Sequence, residues 1–208
     1  MEKPDPVDKI VAGVQRFQQD VFPSQQALFE ALGEGQQPRA LLVTCSDSRI
    51  DPSLFTQTQP GELFIVRNAG NIVPPPSAGV GGESATIEYA VRALGVPHAI
   101  VCGHSHCGAM AAAANPESAA ALPDVSQWIK FAESAVDRAG EFGSVDDEAL
   151  RVIAANVLVQ LDHLRSHPAV AEAEAEGRLQ LHGWIYLFEQ GEVVQVDSSG
   201  TLHRLAEV

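Results

Sequence analysis

Short, uninterrupted apolar runs bounded by turn-forming residues constrain this chain more than any other feature. ALLVT at residues 40–44 follows Pro38, LFIV spans 63–66, HAIVC spans 98–102, and the same character returns at 179–187. Apolar on successive positions and too short for helices, such runs read as strands buried on both faces. Between the second and third lies GGESATIEYAVRAL, which opens on two glycines and sets Ile87, Ala90, Val91 and Leu94 on one helical face. Strand, crossover and strand in repetition predict an α/β domain with a central, mainly parallel sheet flanked by helices.

Residues 7–22 carry Val7, Ile10, Val11, Val14, Phe17 and Val21 at helical spacing, an amphipathic helix. Ser24 reads as the N-cap of a second short helix that ends near Leu32, before Gly33 and Gly35. The stretch 125–176 holds further helical patterns, PPPSAGVGG at 74–82 is a loop, and FEQGEVVQVD turns at Gln190 and Gly191 between two extended segments. With no internal repeat, the expectation is one domain over 1–208, with residues 1–35 as an N-terminal helical arm.

Hydrophobic residues at 45% and charged ones at 19% can supply a core for 208 residues. Thirteen Lys and Arg against 27 Asp and Glu leave a net charge of −14, a field that opposes phosphate backbones and anionic membranes and argues against nucleic-acid or membrane partners. No apolar run approaches the ~20 residues that span a bilayer, and the start MEKPDPVDKI has no leader character, so a cytoplasmic location is expected. Cys45, Cys102 and Cys107 are too few for a disulfide scaffold and fit better as thiolates.

Two strands end in polar clusters, CSDSR at 45–49 and GHSHCGAM at 103–110. At the carboxyl edge of a parallel sheet both face the ligand crevice. Cys45, His104 and Cys107 would make a tetrahedral zinc site with its fourth position open. They can also be read as two small buried thiols and a hydrogen-bonded histidine. Asp47 and Arg49 are either an ion pair that caps the turn or, beside a metal, a carboxylate held as a pure hydrogen-bond acceptor. Cys102 belongs to a strand and His106 to the rim. The backbone N–H of Gly108 opens a helix and is placed to donate to an anion.

The segments CSDSR, PGELFIVRNAGNIVP (60–74), ESATIEYAVRALGV (83–96) and GHSHCGAM, in that order, resemble the β-class carbonic anhydrases, with LHGWIY (181–186) a looser match. The resemblance implies one zinc ion per chain on Cys45, His104 and Cys107, with Asp47 and Arg49 as the catalytic dyad. The activity it implies is reversible hydration of carbon dioxide to bicarbonate and a proton by zinc-bound hydroxide. It also implies a homodimer or dimer of dimers in which the N-terminal helices embrace the partner subunit. Gln36, Phe64, Ala69 and Tyr89 match substrate-side positions, the glutamine acting across the dimer interface. Arg67 and Tyr89 match two members of an inhibitory bicarbonate site whose tryptophan position is Leu42 here, which favours the non-allosteric type. His98, His106 and His182 are candidate proton relays, and His163, His167 and His203 are expected at the surface. Hydrolysis of carbon disulfide or carbonyl sulfide on the same site and an inactive zinc-stabilised scaffold stay open as alternatives.

Overall fold

A computed structural model describes residues 5–142 and 145–205. The chain divides into two compact units, Met1–Gln36 and Gln37–Val208. In the first, Asp5 accepts a hydrogen bond from the Val7 amide at 3.0 Å and caps α1 (Pro6–Arg16). A π turn at Phe17–Val21 then leads straight into α2 (Phe22–Gly33). The expected cap at Ser24 is not there. Pro23 follows the wide turn, which tolerates its missing N–H, and the Ser24 hydroxyl inside the helix donates to the Val21 carbonyl at 2.7 Å. The stripe from Val7 to Val21 is exposed, 67% at Ile10 and 52% at Val14.

The second unit is built on a six-stranded sheet. Its strands are β1 (Ala40–Cys45), β2 (Leu63–Asn68), β3 (His98–His104), β4 (Gln180–Leu187), β5 (Glu192–Val196) and β6 (Leu202–Arg204), in the order β2-β1-β3-β4-β5-β6. The first four pair in parallel, and β5 and β6 add antiparallel strands after the turn at Gly191. Connections are α3 (Pro52–Thr56), α4 (Gly82–Glu88) with a π turn at Tyr89–Ala93, α5 (Gly108–Ala114), α6 (Pro123–Trp128), α7 (Glu133–Ala139), α8 (Glu148–Ser166) and α9 (Pro168–Ala175). The apolar runs thus form the parallel strands the sequence predicts, each running on into polar residues: β1 ends on Cys45 and β3 on His104. None of the described helices is long and apolar enough to cross a membrane.

α8 covers one face of the sheet with Val152, Ile153, Val157, Leu158 and Leu161 buried. It comes close because β3 and β4 present Gly103 and Gly183 to it. A Cβ on Gly183 would lie 2.9 Å from Val157 Cγ1 and from Val196 Cγ1, with Leu161 Cδ1 at 3.0 Å. On the other face Leu42, Ile100 and Cys102 pack with Phe55, Trp184 and Tyr186, where the Phe55 and Tyr186 rings stack at 4.6 Å. Gly183→Ala should therefore destabilise the fold by about 1–3 kcal/mol through overpacking, read as a lower urea midpoint.

Candidate metal centre

The β1–β3 register sets Thr44 beside Cys102, so Cys45 and His104 leave the sheet at the same edge. From His104 the chain makes a tight turn, with His106 in the left-handed region at φ 55°, and Cys107 caps α5. Their donor atoms all lie within 4.8 Å of one another, the one such cluster found among the described residues, and all three side chains are buried.

The donors suit a borderline-soft cation. The His104 Nδ1 faces the Ser105 carbonyl at 2.8 Å and must donate to it, which leaves Nε2 as a lone pair. That Nε2 is fully buried and has no hydrogen-bond partner, an arrangement that costs free energy unless a cation completes it. The Cys107 thiol pulls the Cys45 pKa down to about 4, helped by His104 and by the amides of Gly70 and Asp47. The Cys45 sulfur and burial together push Cys107 upward. Two sulfurs and an imidazole nitrogen are a zinc donor set with room for a fourth ligand. Cys102, fully buried within β3, has its thiol pushed up to about 12 by burial and stays out of the cluster.

Beside these donors the Arg49 guanidinium grips Asp47, Nε to Oδ1 at 2.9 Å and Nη2 to Oδ2 at 2.6 Å. Chiefly through these bonds, the Asp47 carboxyl is held well below the usual carboxylate range. Arg49 is itself anchored, donating to the His106 carbonyl at 3.1 Å and lying 4.6 Å over the Phe188 ring. Asp47 Oδ2 comes within 4.0 Å of His104 Nε2, so it borders the donors without joining them. Arg67 donates to the carbonyls of Cys45, Asp47 and Ile50 at 2.9–3.0 Å and braces the loop that carries Cys45 and Asp47.

Gly108 opens α5 directly after Cys107, and Ala69 lies beside Gly70, whose amide reaches Cys45 Sγ at 3.3 Å. Phe64 is not brought to the cluster of its own chain. It pairs with Leu41, four positions before Cys45 and about 13 Å away along the strand, and meets Tyr89 at 5.9 Å. Gln36 ends the first unit and is exposed, and Leu42 is fully buried in β1.

The histidines need correction. His98 and His182 touch each other at 3.2 Å toward the amino-terminal ends of β3 and β4, with His98 about 20 Å before His104 along the strand and His182 at the level of Ile100, about 13 Å before it, so both lie away from the cluster. Only His106 of the three borders the site, 3.5 Å from Glu189. His163 and His167, expected at the surface, are half-buried and buried, bonded to the carbonyls of Val73 and Pro74 at 2.9 Å. His203 is exposed and pairs with Asp197. Asn156 and Gln160, wholly buried on α8, carry no motif that sets them apart in the sequence. Two amides inside the apolar stretch IAANVLVQL were the available signal.

Residues 40–193 match the family model described as carbonic anhydrase. A carbonic anhydrase of Pseudomonas aeruginosa is 47% identical over 192 residues, covering 91% of this chain and 87% of that protein. Carbonic anhydrase 1 of Escherichia coli O157:H7 is 45% identical over 193 residues, 92% of this chain and 88% of that protein. Among solved structures, the β-carbonic anhydrase CcaA superposes with a TM-score of 0.90 at 41% identity, covering 96% of this chain and 92% of its own. A tetrameric β-carbonic anhydrase of Sordaria macrospora gives 0.72 at 30% identity, covering 94% of each chain.

Because Asp47 has a depressed folded-state pKa, its pairing with Arg49 stabilises the fold at pH values above the unfolded carboxyl's range, about 4, and is lost as acid protonates it. Arg49→Gln should thus lower the denaturant midpoint by a constant amount from pH 5 to 8, with the difference from the parent shrinking below about pH 4.

Proposed function

Since the chain belongs to the β-carbonic anhydrase family of enzymes, we propose that it catalyses reversible hydration of carbon dioxide to bicarbonate and a proton, with zinc held by Cys45, His104 and Cys107. The observation that carries this reading is the two-sulfur, one-nitrogen cluster whose neighbouring carboxylate is kept off the donors by Arg49. Zinc bound there would supply a Lewis acid that makes a coordinated water acidic enough to act as a nucleophile near neutral pH.

The chain's own groups then orient the reaction. Ionised Asp47 can only accept hydrogen bonds, so it accepts the proton-bearing side of the nucleophile and leaves a lone pair free for the carbon of carbon dioxide. Arg49 fixes both carboxylate oxygens, and its own anchorage on His106 and Phe188 keeps that orientation without reorganisation. The Gly108 amide is assigned to the anionic product. The non-allosteric type suits this chain, because Asp47 is engaged by Arg49, Leu42 is sealed in β1, and the Arg67 Nε and Nη2 donate to three backbone carbonyls.

A homodimer or dimer of dimers completes the reading. The α1 stripe is exposed, and β2, an edge strand, shows Ile65 to solvent. Pairing of copies would bury both and give Phe64, Tyr89 and Gln36 a substrate-side role at a partner's site, beside Ala69. The Sordaria relative, described as tetrameric, supports assembly of this kind.

Zinc content and stopped-flow hydration test the chemistry together. Asp47→Asn is expected to keep one zinc per chain while activity falls about 100-fold or more, and full activity in that variant would overturn the role of Asp47. For assembly, sedimentation of the parent should give a dimer or larger, whereas Ile10→Asp with Val14→Asp should shift it toward monomer.

A further inference from the structure

α8 is apolar where it meets the sheet, yet Asn156 and Gln160 are 0% exposed on it. With His163 and His167 they recur at spacings of four, three and four, one face of the helix and its cap. Leucine would fill the same space with no amide to desolvate, so these side chains answer a demand other than packing.

All four bond a single loop, residues 70–74. Asn156 Nδ2 donates to the Gly70 carbonyl at 3.0 Å. Gln160 Nε2 donates to Asn156 Oδ1 at 2.9 Å, which turns the Asn156 amide toward Gly70, and to the Phe131 carbonyl at 3.0 Å. Gln160 Oε1 accepts the Val73 amide at 2.9 Å, while His163 and His167 hold the carbonyls of Val73 and Pro74. The other face of Gly70 is closed. At φ +84°, any Cβ there would lie 2.9 Å from Ala109 Cβ and 3.0 Å from Met110 Cε, on the helix capped by Cys107. Gly70 is therefore confined from α8 at its carbonyl and from α5 at its Cα, and its amide, in the adjoining peptide group, ends at 3.3 Å from Cys45 Sγ.

We propose that Asn156, oriented by Gln160, is a positioning residue for the metal ligand Cys45: it holds the Gly70 carbonyl so that the Gly70 amide donates to the Cys45 sulfur. The inference rests on the metal reading above. An N–H donor draws electron density from a ligating sulfur, which fixes the direction of the sulfur lone pairs and moderates how much charge the sulfur gives the cation. Helix α8 thereby acts on the site through the loop at 70–74.

The test uses the intact chain loaded with cobalt(II), whose sulfur-to-metal charge-transfer band reports the thiolates, together with the rate of cobalt loss to a chelator. Asn156→Leu should stay folded by circular dichroism, move the band to longer wavelength and lose cobalt about tenfold faster. Gln160→Leu should shift both in the same direction by less, and it carries the test if Asn156→Leu does not fold. Leu164→Ala, a buried truncation on the same helix, should lower thermal stability and leave band and release rate unchanged. The assignment is overturned if the amide-to-leucine variants match the parent, or if Leu164→Ala moves the band as far as they do. A parent that takes up no cobalt and no zinc overturns the metal reading itself, and this assignment with it.

Discussion

The parallel pairing of β1 with β3 is the constraint on which the site depends. Each strand contributes one donor at its carboxyl end, and a slip of one residue would turn either donor to the opposite face of the sheet. That register is secured by side chains far from any chemistry: Leu41, Val43, Ala99 and Val101 on one face, Leu42, Ile100 and Cys102 on the other, all buried. The third donor, Cys107, needs only the short turn from His104. A site of three donors from two segments thus inherits its geometry from strand packing, which is why it sits on a rigid edge instead of a long loop.

Around that edge the polar groups are arranged in layers of support. Arg49 orients Asp47, and Phe188 and the His106 carbonyl orient Arg49. Arg67 ties the β1 end to the loop after it. The loop after β2 is fastened from within by Asn68, whose side chain bonds both the amide and the carbonyl of Ile72, and from outside by α8. Asn156, Gln160 and His167, all buried, each find a partner in that loop, as low-dielectric surroundings demand.

The parallel core, the two polar strand ends and the cluster of Cys45, His104 and Cys107 were legible in the sequence, because apolar runs declare buried strands and the donors stand where those runs stop. What was not legible depends on contacts between distant segments. Nothing local says that His163 and His167 face Val73 and Pro74, some 90 residues away. Arg67 matched a ligand position by resemblance, yet three carbonyls take its donors. Ser24 carried a cap signature that the π turn before Pro23 made redundant. Phe64 and Tyr89 match pocket positions, yet Phe64 packs half-buried against the core of its own chain beside Tyr89, away from the donors.

The segregation of the three cysteines also divides them in oxidative chemistry. Cys102 has no solvent contact and a thiol pushed up to about 12, so it supplies almost no thiolate. The one cysteine whose thiol pKa is lowered is Cys45, which shares the proposed metal cluster with Cys107, the two sulfurs near enough to influence each other's protonation. A bound cation would then be the chain's shield as much as its reagent: while both sulfurs are coordinated, neither is free to be oxidised or to couple with the other.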